Sequence, residues 1–194
     1  MKRPAVFIDR DGTVNEQMGY INHISRFVLL PGAEEAIKVL NSHRYLVIVV
    51  SNQSGVARGY FPIELVDEVH AHMRVLLGKE GAFVDGIFFC PHYPRGVVPE
   101  YSIECDCRKP RTGLIERACD AFDVDMANSY VIGDRYSDIE LALKLNLEGI
   151  LVTTGYGLGD VDYVFPRLSF KPAHIAKDLL HAARWIIERQ KGSR

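Results

Sequence analysis

Four polar side chains suited to chemistry come just after short apolar runs in the sequence, and these are Asp9, Asp11, Ser51 and Asp134. Apolar runs of this length are typical of strands that are buried on both faces of a parallel sheet. In such a sheet the ligand site lies outside the carboxyl ends of the strands. We therefore expect these side chains to meet at one sheet edge, together with Lys109, which stands ahead of a predicted helix.

Three carboxylates at one sheet edge predict a divalent cation. Asp9, Asp11 and Asp134 would otherwise repel one another and raise one another's pKa. Mg²⁺ fits, because it prefers oxygen ligands and usually keeps water and substrate phosphate in its shell. Ser51 and Lys109 would then supply the hydrogen bonds and positive charge that hold a transferring phosphoryl group.

The spacing of the first two aspartates fits catalysis through a covalent intermediate. Asp9 would attack phosphorus and form an aspartyl-phosphate. Asp11, two residues further on, would protonate the leaving oxygen and later activate water. A single acid is ordinarily a solvated surface charge, but joint placement at strand ends favours an active site. The sequence therefore predicts a Mg²⁺-dependent phosphatase.

Three of the four cysteines lie near one histidine, in the pairs Cys90-x-His92 and Cys105-x-Cys107. In extended backbone, residues i and i+2 point to the same side, so each pair can grip one ion. Three cysteines and one histidine form a closed ligand set for structural zinc. We predict that Zn²⁺ pins an inserted loop at about residues 90–110, and we expect no disulfides. The alternative is a set of reduced thiols with an incidental histidine.

The elements that must position these residues alternate along the chain. The predicted strands are Ala5–Ile8, Tyr45–Val50, Gly86–Cys90, Ser129–Ile132 and Gly149–Val152. The predicted helices are Ala33–Ser42, Ile63–Leu77, Thr112–Phe122, Ser137–Leu145 and His174–Glu188. This alternation predicts an α/β fold, a parallel sheet with helices on both faces, in one domain over residues 1–194. The irregular stretch Gly12–Leu30 is expected to form a small flap over the strand end.

The composition is that of an ordinary soluble globular protein, with 23 Lys and Arg against 25 Asp and Glu in 194 residues. A net charge of -2 does not favour a surface for nucleic acids. The apolar run behind Met1–Pro4 is short, so we expect neither a signal peptide nor a membrane span. We predict a cytoplasmic monomer with no nucleic-acid or membrane partner.

Four motifs follow one another along the chain, and these are Asp9-x-Asp11-Gly12-Thr13, Ser51-Asn52, Lys109 and Gly133-Asp134-x-x-x-Asp138. In this order the chain resembles the haloacid dehalogenase (HAD) superfamily of phosphotransferases. The resemblance spans residues 5 to 153. It implies a Rossmann-like, HAD-like fold with a minimal cap and an inserted zinc-binding loop.

Further motifs narrow the resemblance, and these are Asp9-Arg10-Asp11-Gly12-Thr13-Val14-Asn15, Gly19-Tyr20, Ser51–Gly59, Cys90-Pro91-His92 and Cys105–Pro110. With them the chain resembles the D-glycero-D-manno-heptose 1,7-bisphosphate 7-phosphatases. The resemblance implies a small enzyme that removes the 7-phosphate of a sugar bisphosphate. Its product would feed ADP- or GDP-heptose synthesis for lipopolysaccharide or surface glycoprotein.

The resemblance also implies roles for individual residues. Asp134 would bind Mg²⁺ alongside Asp9 and the Asp11 carbonyl. Arg108 would recognise the substrate, because its planar fork suits a second phosphate. The remaining residues expected to bind substrate are Gln17, Met18, Gly19, Tyr20, Ser51, Asn52, Gln53, Ser54, Lys109 and Arg135. The family often has Lys at the position of Arg135, which has the same charge but a different side-chain length and geometry.

Two alternative functions stay open. Histidinol-phosphate phosphatases share the beginning of the first motif and a similar zinc loop. Their loop is typically shorter, whereas 12 residues separate His92 from Cys105 here. The other alternative is a catalytically inactive, zinc-organised binding module, although both aspartates, Ser51 and Lys109 are intact.

Overall fold

The five predicted apolar runs and one further segment form a parallel six-stranded sheet in the computed structural model, which describes residues 2–192. The strands are β1 (Ala5–Ile8), β2 (Leu46–Asn52), β3 (Gly86–Cys90), β4 (Tyr130–Gly133), β5 (Glu148–Val152) and β6 (His174–Ala176). Their order in the sheet is β3-β2-β1-β4-β5-β6. The strand order reverses between β1 and β4, and in open sheets of this kind ligands bind at the carboxyl ends beside that point.

Helices cover both faces of the sheet, which confirms the predicted architecture. They are α1 (Ala33–Ser42), α2 (Ile63–Lys79), α3 (Gly113–Ala121), α4 (Tyr136–Lys144), the single turn α5 (Gly157–Gly159) and α6 (Leu179–Gly192). Val6 and Ile8 of β1 pack on the face covered by α1, α2 and α6, whereas Ala5 and Phe7 pack on the face covered by α3 and α4. Side chains of a strand alternate between faces, so a run of apolar residues fills both layers of core.

The end of the sheet differs from the sequence prediction. His174–Ala176 was expected to begin the last helix, but it forms β6, because it pairs with the free edge of β5. The helix begins at Leu179, directly after Asp178. The side chain of Asp178 accepts a hydrogen bond from the backbone N–H of His181 at 2.9 Å. Asp178 is thus the N-cap signal that marks the true start of the helix.

Strand β2 runs two residues beyond its apolar pattern. Ser51 and Asn52 lie opposite Phe89 and Cys90 of β3 and belong to the sheet. The strand pairing therefore fixes the backbone of both residues, and their side chains stand at the sheet edge on a rigid support.

The two irregular stretches of the chain are held in place by different means. The flap, residues Gly12–Leu30, buries Val14, Ile21 and Phe27 in the core. The stretch Pro91–Arg111 begins and ends beside the cysteine and histidine pairs, and it contains one short 3-10 turn. Among the described residues, no helix combines the length and apolar character that a membrane span needs.

Leu40 of α1 provides a test of the core under the sheet. Its side chain is fully buried, whereas that of Leu143 on α4 is 45% exposed. We expect Leu40→Ala to lower the free energy of unfolding by about 2–5 kcal/mol, because removal of the buried side-chain atoms creates a cavity. Leu143→Ala should change it by less than about 0.5 kcal/mol. Urea unfolding followed by circular dichroism measures both, and equal effects of the two substitutions would contradict the described packing.

Candidate active site

Three buried carboxylates converge at the carboxyl ends of the two central strands. Asp9 follows β1, Asp134 follows β4, and Asp138 lies in the first turn of α4. Their ligand oxygens lie within 4.8 Å of one another. We call these three residues the acid cluster. The sequence predicted that Asp9, Asp11 and Asp134 would converge, but the third carboxylate of the cluster is Asp138 and not Asp11. The signal for Asp138 is its spacing of one helical turn after Asp134.

The ammonium group of Lys109 lies inside the acid cluster. Its Nζ is 2.8 Å from Asp9 Oδ1 and 2.7 Å from Asp138 Oδ1, and it donates to the Val50 carbonyl at 2.8 Å. Asn52 holds the backbone of this lysine, accepting from its N–H at 3.0 Å and donating to its carbonyl at 3.1 Å. The end of β2 therefore fixes the segment that carries Lys109.

The electrostatics of the acid cluster favour a bound cation. Burial raises the pKa of Asp9 to about 6, although Lys109 opposes the shift. Burial and the carboxylate of Asp9 raise the pKa of Asp134 to about 8. For Lys109, burial works against the charge, but Asp138 and Asp9 outweigh it and raise the pKa of the ammonium. One ammonium is thus shared among three carboxylates, and a divalent cation would supply the missing positive charge.

The surroundings of Asp134 also fit a cation. Its Oδ2 accepts a hydrogen bond from the backbone N–H of Tyr156 at 2.8 Å. Its Oδ1 is buried and has no hydrogen-bond partner among the described residues. A buried carboxylate oxygen is costly unless paired, and a metal ion is one way to pair it. Gly12 and Gly155 press against this side chain, since a Cβ at either position would lie 2.3 Å or 2.1 Å from Oδ2.

Asp11 lies apart from the acid cluster and is held by neutral and positive partners. Its Oδ1 accepts from Asn15 at 3.0 Å, its Oδ2 accepts from Gln53 at 2.8 Å, and Arg10 Nη2 lies 2.9 Å from both oxygens. Burial alone would raise the pKa of Asp11, but Arg10, Asn15 and Gln53 outweigh it and lower that pKa. In the absence of substrate, these contacts therefore favour the ionised form of the Asp11 carboxylate.

The side chain of Gln53 forms hydrogen bonds with both Ser51 and Asp11. Its Nε2 donates to Ser51 Oγ and to Asp11 Oδ2, both at 2.8 Å, and its Oε1 accepts from Arg10 at 3.1 Å. Ser51 lines the cleft described below, whereas Gln53 does not. Gln53 was predicted to bind substrate, and the structure places it behind the two residues that face the cleft.

A cleft of about 490 Å³ opens above the acid cluster. The predicted site residues that line it are Asp9, Asp11, Gln17, Gly19, Tyr20, Ser51, Asn52, Ser54, Arg108, Lys109, Asp134 and Arg135. Met18 lies exposed on the flap and, like Gln53, is not among the lining residues. Four further residues line the cleft and were not predicted from the sequence, and these are Pro110, Tyr136, Ser137 and Tyr156. Tyr156 follows the end of β5, so the strand-end rule applied to that strand would have found it.

Two guanidinium groups are fixed at the rim of the cleft. Arg108 donates from Nη1 to the His92 carbonyl at 3.3 Å. Arg135 donates from Nε to Asp160 Oδ2 at 3.2 Å, and its guanidinium lies 4.8 Å from the ring centre of Tyr156. Contacts of this kind limit side-chain freedom, so the rim presents two oriented positive charges toward the cleft.

The cysteine and histidine pairs meet beside the acid-bearing edge. Cys90 Sγ lies 3.7 Å from His92 Nδ1 and 3.5 Å from Cys105 Sγ, and Cys107 Sγ lies 3.3 Å from His92 Nδ1 and 3.5 Å from Cys105 Sγ. A disulfide needs about 2.05 Å between sulfurs, so none is present among these three cysteines. A tetrahedral ion with ordinary metal–ligand bonds separates its ligand atoms by about 3.5–3.8 Å. The group could therefore hold one metal ion.

Gly12 provides a test of cation binding at the acid cluster. A Cβ there would meet Asp134 Oδ2 at 2.3 Å, while Gly19 has a similar positive φ and nothing within 4 Å of its Cβ position. We expect Gly12→Ala to displace Asp134 and weaken Mg²⁺ binding about tenfold or more. Gly19→Ala carries a comparable backbone strain and should leave the affinity unchanged. Isothermal titration calorimetry measures both, and an unchanged affinity in Gly12→Ala would contradict the assignment of Asp134.

Comparisons with known proteins agree with this geometry. The HAD-hydrolase-like family model matches residues 106–182. D-glycero-D-manno-heptose-1,7-bisphosphate 7-phosphatase of Thermosynechococcus vestitus is 40% identical over 190 residues, which cover 96% of each chain. D-glycero-beta-D-manno-heptose-1,7-bisphosphate 7-phosphatase of Escherichia coli K12 is 37% identical over 180 residues, covering 90% of this chain and 94% of the relative.

A solved structure of similar shape is D,D-heptose 1,7-bisphosphate phosphatase from B. bronchiseptica in complex with magnesium and phosphate. It superposes with a TM-score of 0.84 at 30% identity, covering 97% of this chain and 99% of the other. The sequence similarity extends over nearly the whole chain and the fold agrees throughout. The chain therefore belongs to the heptose 1,7-bisphosphate phosphatase family of HAD phosphatases.

Proposed function

We propose that the protein hydrolyses the 7-phosphate of D-glycero-D-manno-heptose 1,7-bisphosphate. The observation that carries this proposal is the placement of Asp9 and Lys109 at the floor of a cleft whose rim presents Arg108 and Arg135. A substrate with one phosphate needs only the floor of such a cleft. Two oriented guanidinium groups at the rim suit a second phosphate at the far end of the sugar. Relatives that are 37% to 42% identical bear this activity in their names.

In the first half of the reaction, Asp9 is the nucleophile. A carboxylate oxygen of Asp9 forms a bond to phosphorus while the ester oxygen of the sugar leaves and takes a proton from Asp11. Lys109 holds Asp9 Oδ1 at 2.8 Å, which orients the attacking group. The positive charge of Lys109 and the hydroxyl of Ser51 would stabilise the transferring phosphoryl group.

In the second half, water hydrolyses the aspartyl-phosphate. Asp11 accepts a proton from the water molecule as its oxygen attacks phosphorus, and the bond from phosphorus to Asp9 breaks. Phosphate leaves, and Asp11 is again protonated for the next cycle. The contacts of Asp11 with Arg10, Asn15 and Gln53 favour the ionised form, which is the form required at this stage.

Membership of the HAD family implies Mg²⁺ as the cofactor. Asp9 and Asp134 would hold it together with the Asp11 carbonyl, and the unpartnered Oδ1 of Asp134 supports this assignment. Bound there, the ion supplies positive charge that offsets the repulsion between the phosphate and the attacking carboxylate. Asp138 plays a different part, because it pairs with Lys109 and accepts a hydrogen bond from the Arg135 N–H at 3.1 Å.

The flap would face the sugar between the two phosphates. Tyr20 and Gln17 line the cleft from this side. The ring of Tyr20 meets that of Tyr60 edge-on at 4.7 Å, and Gln17 Oε1 accepts from the Gly19 N–H at 2.9 Å. These contacts orient the flap residues predicted to bind substrate, so substrate selection would depend on them.

We further propose that Cys90, His92, Cys105 and Cys107 bind a structural Zn²⁺. Four ligand atoms with these separations leave no position open for water or substrate. Arg108 and Lys109 follow Cys107 directly, so an ion at this place would steady the segment that carries both basic residues. Thiolate ligands are preserved in a reducing compartment. We therefore propose that the enzyme is cytoplasmic. We also propose that residues 1–194 form a single domain that acts as a monomer. Its reaction would serve ADP- or GDP-heptose synthesis.

Comparative turnover tests the proposed function. We expect a higher kcat/KM for one or both anomers of the heptose bisphosphate than for histidinol phosphate, measured as phosphate release with Mg²⁺. Asp9→Asn should lower kcat at least about a thousandfold, because it removes the nucleophile. Asp162→Asn, an exposed position, is the matched control and should be fully active.

Each result of this experiment has a clear consequence. A preference for histidinol phosphate would contradict the heptose assignment. Retained activity in Asp9→Asn would remove Asp9 from the role of nucleophile. Absence of phosphate release from every sugar phosphate would favour a binding module over an enzyme.

Replacement of a proposed zinc ligand tests the metal loop. We expect the purified protein to contain one zinc per chain by mass spectrometry of the metal. Cys105→Ser should reduce zinc content, turnover and Tm together, with a fall in Tm of roughly 2–4 °C for each kcal/mol lost. Cys119→Ser is the control, because Cys119 contacts Met126 and is not one of the four grouped ligand residues. Full turnover and an unchanged Tm in zinc-free protein would refute the structural role.

A further inference from the structure

His70 is a buried titratable residue that has no part in the mechanism above. It lies on α2, and 7% of its surface is exposed. Its Nε2 is 3.1 Å from Arg10 Nη1. A guanidinium group has donors but no acceptor, so the imidazole nitrogen in this contact must accept. His70 is therefore in its neutral form, with the other ring nitrogen carrying the proton.

The neutral state of His70 does not depend on pH in the ordinary range. Burial and the positive charge of Arg10 lower the pKa of His70 to about 3. The ring also packs edge-on against Phe89 at 5.3 Å, which limits its rotation. His70 is thus a fixed hydrogen-bond acceptor at the far end of the Arg10 guanidinium.

Arg10 in turn binds the carboxylate of Asp11. Its side chain is 2% exposed, and its Nη2 lies 2.9 Å from each oxygen of Asp11. The same Nη2 contacts Gln53 Oε1 at 3.1 Å. Nη1 contacts His70 while Nη2 contacts Asp11, so the planar fork of Arg10 joins helix α2 to the predicted acid and base.

We propose that His70 is a positioning residue, which through Arg10 holds the Asp11 carboxylate in the orientation required for its two proton transfers. The inference rests on the proposed function, since it assigns no new reaction. Asp11 gives its proton to the ester oxygen as the bond from that oxygen to phosphorus breaks and the bond from Asp9 to phosphorus forms. It then takes a proton from water as the water oxygen bonds to phosphorus and the bond to Asp9 breaks.

If the Asp11 carboxylate loses its orientation, the effect on the reaction rate depends on the leaving group of the phosphate ester. A sugar alkoxide needs a proton in order to leave, whereas p-nitrophenolate leaves readily without one. Transfer of phosphate from p-nitrophenyl phosphate to Asp9 should therefore be insensitive to Asp11. Hydrolysis of the resulting aspartyl-phosphate needs Asp11 as base whichever ester was used.

The experiment compares His70→Leu, which has no acceptor, with His70→Gln, whose amide oxygen can replace Nε2. His72→Leu is the matched control on the same helix, because its ring packs on Phe27 and not on Arg10. Arg10→Lys interrupts the same contact from the other side and provides a second variant if His70→Leu folds poorly. Stopped-flow release of p-nitrophenol and steady-state turnover of a sugar phosphate are measured for each folded variant.

We expect His70→Leu and Arg10→Lys to lower kcat for the sugar phosphate about tenfold or more, with little change in KM. With p-nitrophenyl phosphate both should release a first equivalent of p-nitrophenol at the wild-type rate and then turn over slowly. His70→Gln should recover most of the activity, and His72→Leu should match the wild type.

Other outcomes overturn the inference. A purely structural role would slow the first equivalent of p-nitrophenol and the later turnover by the same factor, and it would not distinguish the two ester classes. Wild-type kinetics in His70→Leu, or no recovery in a folded His70→Gln, would also exclude positioning through Arg10. Lack of turnover in the wild-type protein itself would contradict the proposed function, and the inference with it.

Discussion

The Nζ atom of Lys109 lies between Asp9, Asp138 and the carbonyl of Val50, and its side chain is 2% exposed. These partners come from the segment after β1, from β2 and from the first turn of α4. An ammonium group this deeply buried is tolerated only when opposite charges and hydrogen bonds surround it. The ends of the central strands must therefore meet around the lysine. The position of Asp9 therefore depends both on its place directly after β1 and on its pairing with the buried ammonium group of Lys109.

The same lysine joins the cysteine and histidine loop to the cleft. Asn52 at the end of β2 binds both backbone polar groups of Lys109, and Arg108 donates to the carbonyl of His92. The loop has little secondary structure of its own, so its path depends on these contacts and on the grouping of the four ligand atoms, which could hold a metal ion. A long irregular segment is in this way made rigid enough to present a guanidinium group at the rim of the cleft.

Two aspartates separated by one residue experience opposite electrostatic environments. Asp9 lies among carboxylates, and burial raises its pKa to about 6. Asp11 faces the guanidinium of Arg10 and two side-chain amides, which lower its pKa. Different surroundings can give chemically identical groups different roles, one as nucleophile and one in proton transfer. The end of the strand positions the first aspartate, and the turn after it brings the second against Arg10, Asn15 and Gln53.

From the sequence alone, the alternation of apolar runs with helical patterns predicted the parallel α/β sheet, because the two periods can be read locally. The position of polar residues after strands then predicted the site, because the carboxyl ends of parallel strands lie at one edge. The residues predicted to meet there are Asp9, Ser51, Lys109 and Asp134. Local patterns say little about pairs that are distant in sequence. The contacts of His70 with Arg10 and of Asn52 with Lys109 join positions far apart in the chain. The same holds for β6, whose residues have a helical pattern but form a strand because they pair with the edge of β5. Such contacts form only once whole elements have packed, so the tertiary structure alone decided them.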